Sequence, residues 1–192
     1  FVHISNWNIS LINDLSYLFF KKFNFNDNII YWNTSNVINM NYMFKQAYIF
    51  DKSLNNWNTS NVTNMDSMFY NAKSFNKPLN NWNTSNVTNM NSMFYNAKSF
   101  NKPLNNWDTS NVTNMDSMFF NCVRFNQSLN NWNTKKLSNL EYIFFNTIKF
   151  KSYNALWYKN YSSKYIIYNS DSNSNSNSDS NSNSNSDSNS NS

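Results

Sequence analysis

A tryptophan stands at positions 7, 32, 57, 82, 107, 132 and 157, so every tryptophan in the chain falls on one 25-residue period. A fixed period of this length constrains the fold more than any local pattern does. A unit this short cannot bury its own apolar stripe, and it becomes stable only when neighbouring copies stack and share a core. With tryptophan as slot 0, the apolar slots are 0, 5, 8, 11, 12, 15, 18 and 22, as in Val62, Met65, Met68, Phe69, Ala72, Phe75 and Leu79 after Trp57. Trp32, Trp57, Trp82, Trp107 and Trp132 are therefore expected in the core of the stack.

The spacing from slot 5 to slot 15 (3, 3, 1, 3) predicts one face of a short helix, with Ser or Thr at slots 2 and 3 capping its start. Asn71, Asn96, Asn121 and Asn146 at slot 14 are read as the left-handed stop of that helix, in place of glycine. Slots 18 and 22 have the same parity and predict a short strand, weakened where Pro78 and Pro103 intervene. Asparagines at slots 4, 7, 19, 23 and 24 are expected to form amide ladders along the stack. The expected fold is thus an α/β repeat, a solenoid of 25-residue coils with one short helix and one short parallel strand in each coil.

The repeat sets the domain plan. About six coils occupy 1–156, a degenerate terminal repeat or cap occupies 157–169, and an Asn/Ser/Asp tail occupies 170–192. The tail repeats an octad without apolar residues and is expected to be disordered. The chain begins at Phe1 within a repeat, which predicts a fragment or processed product, one that could have lost a leader. The chain lacks glycine and has Arg124 as its sole arginine, while Asn, Ser, Phe, Tyr and Lys abound, a bias that points to an AT-rich source.

Composition narrows the function classes. The net charge is +5, yet charged residues make up only 13% of the chain, too few for a dedicated phosphate-binding face, so no nucleic-acid partner is expected. Polar residues interrupt every apolar stretch, so no transmembrane segment is expected. Catalysis lacks a supported site. His3 is the sole histidine, Cys122 replaces the alanine of slot 15 and reads as a small core residue, and no Cys/His spacing suits zinc. Asp66, Asp116 and Glu141 share slot 9 and read as solvated surface. No enzyme, cofactor or metal is expected.

The segments LNNWNTSNVTNMDSMFYNAKSFNKPLNNW (Leu54 to Trp82) and LNNWDTSNVTNMDSMFFNCVRFNQSLNNW (Leu104 to Trp132) resemble the BspA-like leucine-rich-repeat surface proteins, which include mycoplasma-type surface lipoproteins. The shared core is W-x-T-S-N-V-T-N-M-x-x-M-F followed by F-N-x-x-L, and it covers most of the chain before the tail. The resemblance implies a leucine-rich-repeat-like solenoid, a cell-surface or extracellular setting, and adhesion or partner binding in place of catalysis. It extends to bacteria, protists and large DNA viruses as sources. The chain departs from the family in having Asn at slot 14, where Gly is common, and in lacking a lipid-attachment cysteine near its start.

Stacking aligns equal slots, which singles out one surface. Slot 13 holds Tyr70, Tyr95, Phe120 and Phe145, slot 16 holds Lys73 and Lys98, and slot 20 holds Lys52, Lys77 and Lys102. An aromatic stripe beside lysine rows is the expected contact for a protein or glycan partner on a host or neighbouring surface. A structural spacer with no specific ligand is the alternative. Sequons recur at Asn8, Asn33, Asn58, Asn61, Asn83, Asn86, Asn111 and Asn160 as a by-product of the repeat.

Overall fold

The computed structural model describes residues 3–162. The expected tail and the part of the expected cap from 163 onward lie outside the described residues. Within them the chain winds in successive 25-residue coils, each joined to the next by backbone hydrogen bonds. N–H groups at slots 8, 10, 12 and 14 donate to carbonyls at slots 7, 9, 11 and 13 of the following coil. In the third coil these bonds are Met65 to Asn89 (3.0 Å), Ser67 to Asn91 (2.8 Å), Phe69 to Met93 (2.9 Å) and Asn71 to Tyr95 (2.8 Å). All four N–H groups point toward the C-terminal end of the stack, and the paired carbonyls point back.

The α/β architecture expected from the sequence is not what the chain forms. No coil contains the helix, and no coil contains the strand. The helix fails because two residues in its span have left-handed backbones: slot 10 (Ser67 φ 53°, Ser92 φ 51°, Ser117 φ 53°) and slot 14 (Asn71 φ 59°, Asn96 φ 55°, Asn121 φ 53°). A right-handed helix cannot pass through either. Instead the segment folds into consecutive tight turns, with Met68 N–H on the Met65 carbonyl (3.3 Å) and Ala72 N–H on the Phe69 carbonyl (2.9 Å). The left-handed residue is third in each turn, as a type II turn requires. Two three-residue steps in sequence produce the same apolar spacing as a helix face, and this is why the spacing misleads.

The expected strand from slot 18 to slot 22 fails for a different reason. The N–H at slot 19 bonds an asparagine or aspartate side chain of the preceding coil instead of a carbonyl, as Asn76 does to Asp51 Oδ1 (2.9 Å) and Asn101 to Asn76 Oδ1 (3.0 Å). Two residues on, Pro78 or Pro103 has no N–H to give. The parallel pairing that exists is a row of single bridges at slot 7, Asp14 to Asn39 and onward through Asn64, Asn89 and Asn114 to Asn139. The expected strand-based, leucine-rich-repeat-like solenoid is therefore replaced by coils built from turns.

The threonines also act differently from expected caps. Thr59 Oγ1 donates to the Asn83 carbonyl of the next coil (2.9 Å), and Thr34, Thr84 and Thr109 repeat the bond. Besides accepting at slot 19, asparagine acts in three further ways. At slots 1 and 7 its side chain accepts an N–H two residues on, as in Ser60 to Asn58 and Asp66 to Asn64 (both 3.0 Å). At slot 4 its amide donates to the slot-3 carbonyl of the preceding coil, as Asn61 does to Ser35 (2.7 Å). The amide-to-amide ladder runs through slot 14, from Asn146 to Asn121 (2.8 Å), Asn121 to Asn96 (2.6 Å) and Asn96 to Asn71.

One continuous core runs through the stack. Phenylalanines at slots 12 and 18 meet within a coil, Phe69 on Phe75 at 4.1 Å, and between coils, Phe69 on Phe94 at 5.5 Å. Tryptophans are held by ring contact and by a bond. Trp82 stacks on Trp107 (6.3 Å), and its Nε1 donates to the carbonyl of Leu54, which ends the segment leading into Trp57 (2.9 Å). The two ends differ. Trp7, Leu11, Ile12, Leu18 and Phe23 of the first coil are exposed. At the other end Tyr158 sets its edge against Phe144 (5.3 Å), followed by a short helix, Lys159–Ser162.

Candidate functional site

The slot-13 side chains form a column on the flank of the turn segment. Tyr70 stacks on Tyr95 at 4.4 Å, Tyr95 on Phe120 at 4.5 Å, and Phe120 on Phe145 at 4.9 Å. Every member is half-buried. Ring faces are consumed within the column, so its outer surface consists of ring edges and the tyrosine hydroxyls. Burial, followed by the neighbouring Tyr95, raises the Tyr70 phenol above its ordinary pKa.

The column has a sealed upper end. Lys45 occupies slot 13 of the second coil, with its ammonium 4.3 Å from the Tyr70 ring centre and 4.7 Å from that of Tyr42. Burial lowers its pKa. Tyr42 stacks in turn on Tyr17 (4.7 Å). The sequence reading missed Lys45, Tyr42 and Tyr17, although the 25-residue interval between the two slot-10 tyrosines is a visible signal.

The lysine rows are not gathered onto this column. Lys73 caps the Tyr48 ring of the preceding coil (4.4 Å), and Lys77 pairs with Asp51 (2.9 Å). Lys98 is exposed, while Lys52 and Lys102 are half-buried. Among the described residues none of these five lysines sits over a slot-13 ring. The column and the lysine rows are thus separate features of the surface.

Of the slot-9 carboxylates, Glu141 is exposed as expected, while Asp66 and Asp116 are less solvated than expected. Asp66 is half-buried and accepts from Asn91 Nδ2 (3.0 Å) and Ser67 Oγ (2.8 Å). Asp116 receives Ser117 Oγ on one oxygen (3.3 Å), and its Oδ1 is buried without a partner. Burial, with a smaller push from Glu141 of the next coil, raises its pKa, while the Ser117 hydroxyl opposes the shift. A carboxyl raised in the folded state favours folding when protonated, and that contribution is lost as pH rises through its folded pKa. Asp116→Asn is therefore expected to raise the melting temperature at neutral pH, its amide reaching Asn91 as Asn91 reaches Asp66. The gain should shrink as pH falls from neutral through the raised folded pKa of Asp116, and should be gone by about pH 4, where aspartate is protonated in the unfolded chain as well. A gap that stays constant across that range would refute this account.

Cys122 is fully buried, with Sγ 3.1 Å from the Ala97 carbonyl, and burial pushes its thiol pKa far up. That environment suits a packed side chain and opposes a thiolate nucleophile. Two clefts of about 540 and 580 Å³ lie at the exposed first coil, around Trp7, Leu18 and Phe25 and around Ile9, Ile12 and Leu15. No group of three or more potential metal ligands occurs among the described residues, and no described helix is long and apolar enough to cross a membrane.

No curated protein and no solved structure matches the chain. A sequence profile does, over residues 2–86 and again over 78–182, so that the two matches together take in the whole coil region. By that match the chain belongs to the repeat family described as Mycoplasma protein of unknown function, DUF285.

Proposed function

We propose that the protein is a non-enzymatic interaction module of a cell surface or extracellular setting, binding a protein or glycan partner along the slot-13 column. The carrying observation is the column itself, four aromatic rings in register on the outside of the stack. Aromatic side chains held rigid before contact lose little entropy on binding. The BspA-like resemblance of the repeat supports the same reading and adds the surface location. Because ring faces are already stacked, the partner contacts edges and hydroxyls, a mode that suits hydrogen-bonding groups better than face-on stacking of sugars.

The sealing of the column by Lys45 favours a second reading, in which the rings serve only to hold the coils together and the module is a spacer. One experiment separates the two. Tyr70, Tyr95 and Phe120 are changed together to leucine, which keeps apolar cover over the turn. Capture of matrix proteins, glycans and host-cell lysate by the immobilised chain is then measured at two salt concentrations. The binding reading expects capture to fall by about tenfold or more, with the melting temperature within ~5 °C of the parent. Equal capture by both chains favours the spacer, and salt sensitivity reports the share carried by the separate lysine rows.

A further inference from the structure

Six of the chain's sequons, in the second to fifth coils, fall into two structural classes. At slot 1 are Asn33, Asn58 and Asn83, each followed two residues on by Ser35, Ser60 or Ser85. At slot 4 are Asn61, Asn86 and Asn111, followed by Thr63, Thr88 and Thr113. Exposure does not separate the classes, since Asn58 and Asn61 are both exposed. Hydrogen bonding does.

Each slot-4 amide nitrogen is committed, with Asn61 donating to Ser35, Asn86 to Ser60 and Asn111 to Ser85, all through 2.7 Å bonds to the preceding coil. Its hydroxyl partner is also engaged: Thr63 donates to Ile38 (3.4 Å), Thr88 to Thr63 (3.3 Å) and Thr113 to Thr88 (3.2 Å). At slot 1 the asparagine uses only its oxygen, which accepts the N–H of Ser35 (3.1 Å), Ser60 (3.0 Å) or Ser85 (3.0 Å). Among the described residues its nitrogen and the serine hydroxyl donate to nothing.

An amide nitrogen is a poor nucleophile because its lone pair is delocalised into the carbonyl. Attack requires the C–N bond to turn and both N–H groups to be reachable. A nitrogen locked between coils can do neither without opening the stack. We infer that Asn33, Asn58 and Asn83 are sites at which the folded protein accepts a sugar on Nδ2, and that the slot-4 sequons are closed to it. In the reaction Nδ2 attacks the anomeric carbon of a nucleotide-activated hexose. The N–C1 bond forms, the C1–O bond to the diphosphate breaks, the nucleoside diphosphate leaves, and the transferase takes the amide proton.

The test uses the full chain, a soluble sequon-reading N-glycosyltransferase and a nucleotide-activated hexose, with peptide mass spectrometry at each asparagine. A synthetic peptide of residues 57–81 serves as the unstacked control. Asn58 and Asn61 are expected to be modified comparably in the peptide, while in the folded chain slot 1 is modified at least tenfold faster than slot 4. Equal rates at the two slots of the folded chain would overturn the inference. So would a folded chain left unmodified at Asn33, Asn58 and Asn83.

Discussion

Trp82→Ala is expected to lower the unfolding free energy by about 3–5 kcal/mol, as read by chemical denaturation. Three losses add. The buried indole leaves a cavity that the flanking Phe69 and Trp107, held in stacks of their own, cannot close. Ring contacts beyond simple burial disappear, each contributing about 0.5–1.5 kcal/mol. The bond from Nε1 to the Leu54 carbonyl is lost, but that carbonyl keeps the Trp57 N–H (3.0 Å), so the bond contributes only about 1 kcal/mol. Trp82→Phe should therefore recover most of the deficit, leaving mainly the bond and part of the ring area. Because Trp82 lies mid-stack, its removal weakens coupling between the two halves, and denaturation should broaden as well as shift. A loss below about 1 kcal/mol would contradict a shared core.

The sequence made the stack legible but not the path of the chain around each coil. Period and apolar slots are one-dimensional facts, and Trp, Met and Phe at equal slots must meet if copies align, as Phe44, Phe69 and Phe94 do. Backbone handedness is a different kind of fact. Asn96 announces a left-handed residue through its side chain, whereas Ser92 carries no such mark, and only one of the two was expected. With one left-handed residue the segment reads as a helix and its stop, and with two it becomes a row of turns. The strand was misread because Asp51 and Asn76 side chains intercept the N–H groups that a neighbouring carbonyl would otherwise take. The aromatic column followed from the period alone. Its sealing by Lys45 did not, since a lysine in an aromatic slot looks like a lapse in the repeat until the rings on either side are placed.

The left-handed slot supplies the second large effect. Ser92 has φ 51°, and its N–H donates to the Asp116 carbonyl of the next coil (2.7 Å). Proline at this position locks φ near −65° and removes the donor, so Ser92→Pro is expected to cost about 3 kcal/mol or more. The opposite change, Ser92→Gly, keeps the N–H and relieves the steric cost of a left-handed L-residue, about 1–2 kcal/mol. Against this stand the greater freedom of unfolded glycine, about 0.5–1 kcal/mol, and the weak Ser92 Oγ contact to Asn91 (3.4 Å). A small net stabilisation should remain. If the segment were the helix that its spacing suggests, glycine in place of serine would instead destabilise by about 0.5 kcal/mol. The sign of Ser92→Gly, measured by thermal unfolding beside Ser92→Pro, therefore decides between turns and helix without any further structure. Repeating the pair at Ser67, where the N–H meets the Asn91 carbonyl at 2.8 Å, tests whether the rule belongs to the slot or to a single residue.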